Sequence, residues 1–195
     1  MKKNVLALAL LGLILAGCAG SRAQAPTAVF DLGPAAARQV PEGRWANVGL
    51  EVRAAPWIDG TAIAYRLAYD DPNRLLAYTQ SRWAGPAAQL FGQRLRQQLG
   101  LASGGPCLVR LEVEELSQVF ETPEKSAVVL QGHMTLADKQ RKLIAERPLA
   151  LNRPAAGADA RGGVAAFAEL AARAAQEMAA WLELQESEGK LKVCG

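Results

Sequence analysis

Two hydrophobic periods divide this chain, and between them they dictate a sheet covered by helices. Val48, Leu50, Val52 and Ala54 alternate with Gly49, Glu51 and Arg53, which is the two-residue period of a half-buried strand. The same period returns at Val109, Leu111 and Val113, and again through Val128, Leu130, Met134 and Leu136. From Val164 the spacing changes to three and four, through Phe167, Ala171, Ala174, Met178, Trp181 and Leu182, the stripe of a long amphipathic helix. Such a stripe must be covered, and the apolar side of the strands is what the chain offers. The Ala-rich middle of the helix suits close packing on a sheet better than a coiled coil. The expected fold class is α+β: a single domain, a mostly antiparallel β-sheet packed against two amphipathic helices.

The remaining elements follow from turn chemistry. Val29 to Leu32 reads as a first edge strand ended by Gly33-Pro34, and 35–45 as loop. Thr61, Ile63, Tyr65, Leu67 and Tyr69 share one strand face, Asp70-Asp71-Pro72-Asn73 forms a turn, and Leu75 to Gln80 returns, which makes a hairpin. Gly85-Pro86 starts a helix striped by Ala87, Leu90, Phe91, Leu95 and Leu99, and Gly100 stops it. The alternation after Cys107 slips at Glu114-Glu115, the mark of a bulge or a strand end. With the turn Asp138 to Arg141 and the strand Leu143 to Leu151, the last strands form a three-strand meander. Residues 152–163, with Pro154, Gly157, Gly162 and Gly163, read as a mobile loop.

The first residues read differently. Lys2-Lys3 followed by twelve apolar residues, Val5 to Ala16, have the charge and length of a secretory signal and are too short for a stable membrane span. The run closes on Leu15-Ala16-Gly17-Cys18, which resembles the lipobox of bacterial lipoprotein precursors. The resemblance implies acylation of Cys18, cleavage before it, and a membrane partner held through the acyl chains. Two or more chains anchor stably at about 0.8 kcal/mol per buried methylene. Ala19 in place of aspartate resembles the pattern sorted to the outer membrane, on its periplasmic side. The domain organisation is then 1–17 signal peptide, 18–28 lipidated cysteine and short linker, and 29–195 folded domain. Residues 19–28 are small and polar and reach at most about 35 Å.

Without residues 1–17 the chain keeps 20 basic and 19 acidic residues, a balance that leaves no electrostatic case for nucleic acid as a partner, and the sequence shows no basic patch. Two cysteines remain, Cys107 and Cys194, in an oxidising compartment. Only one intramolecular disulfide is available to them; a buried thiol and a loose tail are the alternatives.

Catalytic chemistry finds little footing. His133 is the single histidine, with no second histidine or neighbouring cysteine at ligand spacing, so no metal is implied and it reads as a strand-surface residue. No Gly-x-Ser-x-Gly elbow accompanies it. Glu114 and Glu115 would face opposite sides of a regular strand, whereas acid–base work needs carboxylates that converge. The glycine pairs lack the lysine of a phosphate loop. No catalytic residue and no cofactor is expected. The aromatic cluster Trp57, Tyr65, Tyr69, Tyr78 and Trp83 has two readings, a partner interface and plain core.

One further pattern is more specific. Ala55-Pro56-Trp57-Ile58-Asp59-Gly60, then Ile63-Ala64-Tyr65-Arg66, Tyr78, Ser81-Arg82-Trp83, Pro86 and the leucines at 90, 95 and 99 resemble the ABC-type transport auxiliary lipoproteins, the family of the PqiC-like outer-membrane lipoproteins. Phe30-Asp31-Leu32-Gly33-Pro34 is similar to that family's opening Tyr-Asp-Leu-Gly-Pro segment. The resemblance spans residues 29–185, and its motifs are structural. It implies a domain like the TolB N-terminal domain and a non-enzymatic subunit working with an ABC permease, its ATPase and an MCE-domain protein that moves lipids or other hydrophobic molecules. A homo-oligomer is a further partner on that reading. Trp57, Asp59, Arg66, Tyr69 and Trp83, with segments 55–60 and 152–163, are the expected partner contacts. The alternative is a stand-alone lipid carrier with its own apolar cavity.

Overall fold

The computed structural model describes residues 26–34 and 37–195. The signal segment, Cys18 and most of the linker lie outside the described residues. Seven strands are present: β1 (Ala28–Phe30), β2 (Val48–Ala54), β3 (Ala62–Leu67), β4 (Asp71–Trp83), β5 (Cys107–Thr122), β6 (Lys125–Ala137) and β7 (Leu143–Pro154). Helix α1 (Ala87–Leu99) follows β4, α2 (Ala160–Ser187) follows β7, and a 3-10 turn, Lys190–Cys194, closes the chain.

The strands form one mixed sheet in the order β1-β4-β3-β5-β6-β7, with β2 added beside β5. β5 organises it. Along one edge it carries β6 antiparallel over its length; along the other, Cys107–Val113 pairs in parallel with β2, and Gln118–Phe120 with β3. The ladders β3–β4 and β6–β7 are antiparallel, and β1–β4 is parallel. The expected hairpin and the β5–β6–β7 meander are both present, but the hairpin turns at 68–70, and Asp71, Pro72 and Asn73, expected in the turn, begin β4 with Asp71 opposite Leu67.

The slip at Glu114-Glu115 is a bulge. The β5–β6 register shifts between Val113 and Glu115, between the stretches of β5 that take β2 and β3. A bulge bends a strand and sharpens its twist, and this bend lets one strand serve two neighbours. Gly132 lies opposite Val113, where a Cβ would overlap the Glu112 carbonyl oxygen and come within 3.1 Å of Val113 Cα.

Both helices cover one face of the sheet. Leu50, Leu111, Leu130, Met134 and Leu136 point into that layer fully buried, and meet Phe91, Leu95, Phe167, Leu170 and Met178 from the helices. Each such side chain contributes roughly 1.5–3 kcal/mol by leaving water. Phe167 sits at the junction, edge-on to Trp83 at 5.6 Å and to Phe91 at 6.4 Å between ring centroids. Helix α1 starts after Pro86 and ends at Gly100, whose left-handed φ of 64° lets its N–H return to the Arg96 carbonyl.

The expected loop 152–163 is corrected to 155–159. Ala155 N–H donates to the Ser126 carbonyl, so odd-numbered residues of β7 turn their backbone groups toward β6 and even-numbered ones outward. Pro148 and Pro154 therefore lack an N–H only on the free edge, where no ladder bond is lost. The same prolines blunt that edge against another strand. At the other end of the segment, Gly162 and Gly163 lie inside the first turn of α2, which Asp159 caps by accepting from Gly162 N–H at 2.7 Å.

Cys107 and Cys194 are joined by a disulfide, with Cα atoms 5.2 Å apart across 87 residues of sequence. It ties the C-terminal turn to the start of the central strand.

Candidate functional site

The uncovered face of the sheet carries a lattice of charge set by the two-residue period. Arg53 and Arg110 both reach Glu51, at 2.8 and 2.9 Å. Burial pushes the Glu51 carboxyl up, but the Arg110 and Arg53 guanidiniums outweigh it and hold the group below its ordinary value. Further along, Arg66 donates to both oxygens of Glu115, at 3.1 and 2.8 Å, and the Ser117 hydroxyl donates to the same carboxylate. Burial again raises the Glu115 carboxyl, and Arg66 with Ser117 more than reverses it. The pairing in turn raises Arg66 above its usual range.

The bulge also changes the carboxylate reading. Glu115 pairs with Gln131 and Glu112 with His133, so all four side chains share the open face. Glu114 joins them, because its Oε1 lies 3.1 Å from His133 Nδ1. Glu114 and Glu115 are therefore on one side of β5, contrary to the expectation for a regular strand. His133 stands between Glu112, 3.1 Å from Nε2, and Glu114, each ring nitrogen facing its own carboxylate. The two carboxylates approach opposite sides of the ring, so they do not converge on a common point. Among the described residues no group of three or more His, Cys, Asp or Glu side chains is arranged to hold a metal ion.

The five expected contact residues separate into two sets. Trp57 is 71% exposed and Tyr69 48%, and Asp59 is exposed beside Trp57 in the turn after β2. Arg66 is committed to Glu115. Trp83 is corrected to core: it is 3% exposed against Phe167, because it ends β4 on the helix-covered face. Tyr65 and Tyr78 stack at 4.7 Å and are half-buried near the start of α2. The Tyr78 hydroxyl donates to Gln118 Oε1 at 3.0 Å. Its burial, with Tyr65 and the Asp159 charge nearby, pushes its pKa well above the usual phenol value.

The opening Asp31-Leu32-Gly33-Pro34 segment is held by a residue that sequence reasoning did not single out. Arg94 of α1, 7% exposed, donates from one guanidinium nitrogen to the carbonyls of Gly33 and Pro34. Asp31 Oδ1 accepts from Gly33 N–H at 2.8 Å, closing the turn. An arginine on the apolar side of a helix stripe was the available signal.

The model of the ABC-type transport auxiliary lipoprotein components matches residues 30–179, from β1 into α2. The chain belongs to that family. The matched span includes the opening segment that Arg94 pins to α1, the Trp57 turn and the α1 stripe. Among solved structures, protein XCC0632 from Xanthomonas campestris, described under the family model DUF330, shares the fold at a TM-score of 0.67 and 17% identity, covering 83% of this chain and 98% of that one. An uncharacterized protein superposes at 0.64 and 18% identity, covering 80% and 99% respectively. No curated protein matches the chain significantly. No helix among the described residues is long and apolar enough to cross a membrane.

Proposed function

We propose that this protein is a non-catalytic subunit of an ABC/MCE-type transporter, held by acyl chains on Cys18 at the periplasmic face of the outer membrane, and that the system moves lipids or other hydrophobic molecules between the two membranes. The observation that carries the reading is the transport-auxiliary family match over residues 30–179, downstream of the Leu15-Ala16-Gly17-Cys18 segment. A linker of ten residues, reaching at most about 35 Å, keeps the domain beside its membrane. That geometry suits a fixed component at one end of an apparatus and opposes free shuttling by a stand-alone carrier. The MCE-domain protein is the partner within reach, with the permease and ATPase at the far end.

Trp57 and Tyr69 are the side chains on which we place the partner contact: large aromatics exposed in turns act as interface anchors. The test is site-specific photocrosslinking in intact envelopes, with the photoreactive residue at 57 or 69 and a control at Leu184, which is as exposed as Tyr69. The reading expects an adduct with the MCE-domain protein from 57 or 69 and none from 184. Adducts from 184 alone would move the contact to the C-terminal half of α2.

A further inference from the structure

The open face of the sheet holds, at its disulfide end, a depression of about 410 Å3 lined by Glu51, Arg53, Leu108, Arg110, Ala137 and Arg141, with Gly104 at its rim. Three arginines and one glutamate line it. Arg53 and Arg110 share Glu51 and together spend a minority of their donors on it. Arg141 has no carboxylate within ion-pair distance among the described residues. Other carboxylates on this face are Glu112, in register beside Arg53, and Glu114, both engaged with His133, and Glu146, which stands opposite Thr135 at the margin of the depression.

The depression is built by the backbone. Arg141 stands at φ 66°, the one non-glycine residue with positive φ among those described. Asp138 holds the turn by accepting from Gln140 and Lys142 N–H at 2.8 and 2.9 Å. A long side chain in that conformation is strained, and strain of this kind gathers at functional positions. Across the depression, Gly104 lies flat on Gly49, with its Cα 2.6 Å from where a Cβ at 49 would sit, so no side chain from either residue fills the space. The floor is Leu108, an apolar residue only 7% exposed.

We propose that this depression binds a phosphate group carried on an apolar stem: the guanidiniums of Arg141, Arg110 and Arg53 take the oxygens and the stem lies on Leu108 and Ala137. Planar guanidiniums match phosphate oxygens in pairs, and an excess of two positive charges suits a phosphate better than a neutral headgroup. The inference deepens the transport reading by naming an acidic amphiphile as the molecule the chain handles. The chain alone is used to test it, so its outcome does not depend on whether a transporter is joined.

The experiment titrates the mature chain, residues 18–195 with Cys18→Ala, using monomeric dihexanoyl phosphatidic acid, inorganic phosphate and dihexanoyl phosphatidylcholine in turn. Arginine side-chain N–H and Leu108 methyl resonances are followed. Phosphatidic acid should saturate the site and shift both Leu108 and the arginines, with phosphatidylcholine clearly weaker. Arg141→Ala should weaken phosphatidic acid by about tenfold or more, since a charge-assisted contact is lost, with thermal unfolding unchanged because Arg141 is exposed and unpaired. Equal affinity for inorganic phosphate, with Leu108 silent, would overturn the apolar stem. No saturable binding of phosphatidic acid, or binding indifferent to Arg141→Ala, would overturn the site.

Discussion

Helix α2 meets Gln118 of β5 at Gly163, and the contact leaves no room for a side chain. A Cβ at 163 would overlap Gln118 Oε1 and sit 2.8 Å from its Cδ. Gln118 is fully buried and committed at both ends: Oε1 accepts from the Tyr78 hydroxyl at 3.0 Å and Nε2 donates to Ser126 Oγ at 2.8 Å. Gly163→Ala pushes that amide aside and leaves the Tyr78 and Ser126 hydroxyls short of partners, at a cost of about 1–3 kcal/mol each. The alanine returns up to about 1 kcal/mol of helix propensity. The net loss is about 3 kcal/mol, which for a domain of this size lowers Tm by roughly 6–12 °C. Thermal unfolding of Gly163→Ala, Gln118→Ala and the double variant measures it. Once Gln118 is truncated the overlap disappears, so adding Gly163→Ala should cost nothing further, a coupling of about 2 kcal/mol or more between the sites. If Gly163→Ala alone is neutral or stabilising, the close approach is not a constraint and the reasoning is wrong.

Three other outcomes follow from the same structure. Arg66→Ala strips a half-buried carboxylate of its charged donor and should cost about 2 kcal/mol, while Arg141→Ala, which breaks no pair, stays within about 0.5 kcal/mol; equal effects in urea unfolding would contradict this. Glu115 titrates below its ordinary value when folded, so the stability it contributes is present above the unfolded pKa of about 4.3 and is lost as pH falls through the folded value. The Tm gap between wild type and Glu115→Gln should therefore be flat above about pH 5 and shrink below pH 4; a gap that widens in acid has the wrong sign. Removing the disulfide by Cys107→Ser with Cys194→Ser opens a closure of 87 residues, worth about 4–5 kcal/mol in the chain-entropy picture, and a double variant melting within 2–3 °C of wild type would refute that contribution.

Much of the architecture was legible because its determinants are local. The α1 boundaries follow from Pro86 and Gly100, and the bulge shows as a broken alternation at Glu114-Glu115. What local pattern hides is pairing. Nothing in β5 announces that one edge serves β2 and then β3, since parallel partners meet only in the folded sheet. Pro154 and Gly162-Gly163 look like loop until the edge position of β7 and the close packing on Gln118 give each a reason to lie in regular structure. The surface was harder to read. Trp57 and Trp83 are the same residue type, and burial separates them only through the strand face each occupies. The Arg66–Glu115 pair, the Arg94 clamp on Gly33 and Pro34, and the arginine-lined depression join residues about 30 to 90 positions apart, a range at which spacing carries no signal.

The central claim is that this lipoprotein works as a fixed subunit beside an ABC transport system, and co-purification tests it most directly. The full-length protein is crosslinked in living cells, extracted in mild detergent and analysed by mass spectrometry, beside a Cys18→Ala form released into the periplasm. The account predicts an MCE-domain protein together with its permease and ATPase, all lost or sharply reduced in the Cys18→Ala form. Recovery of the protein without any transporter component, and with stoichiometric phospholipid on the unlipidated form, would contradict it and favour a stand-alone carrier.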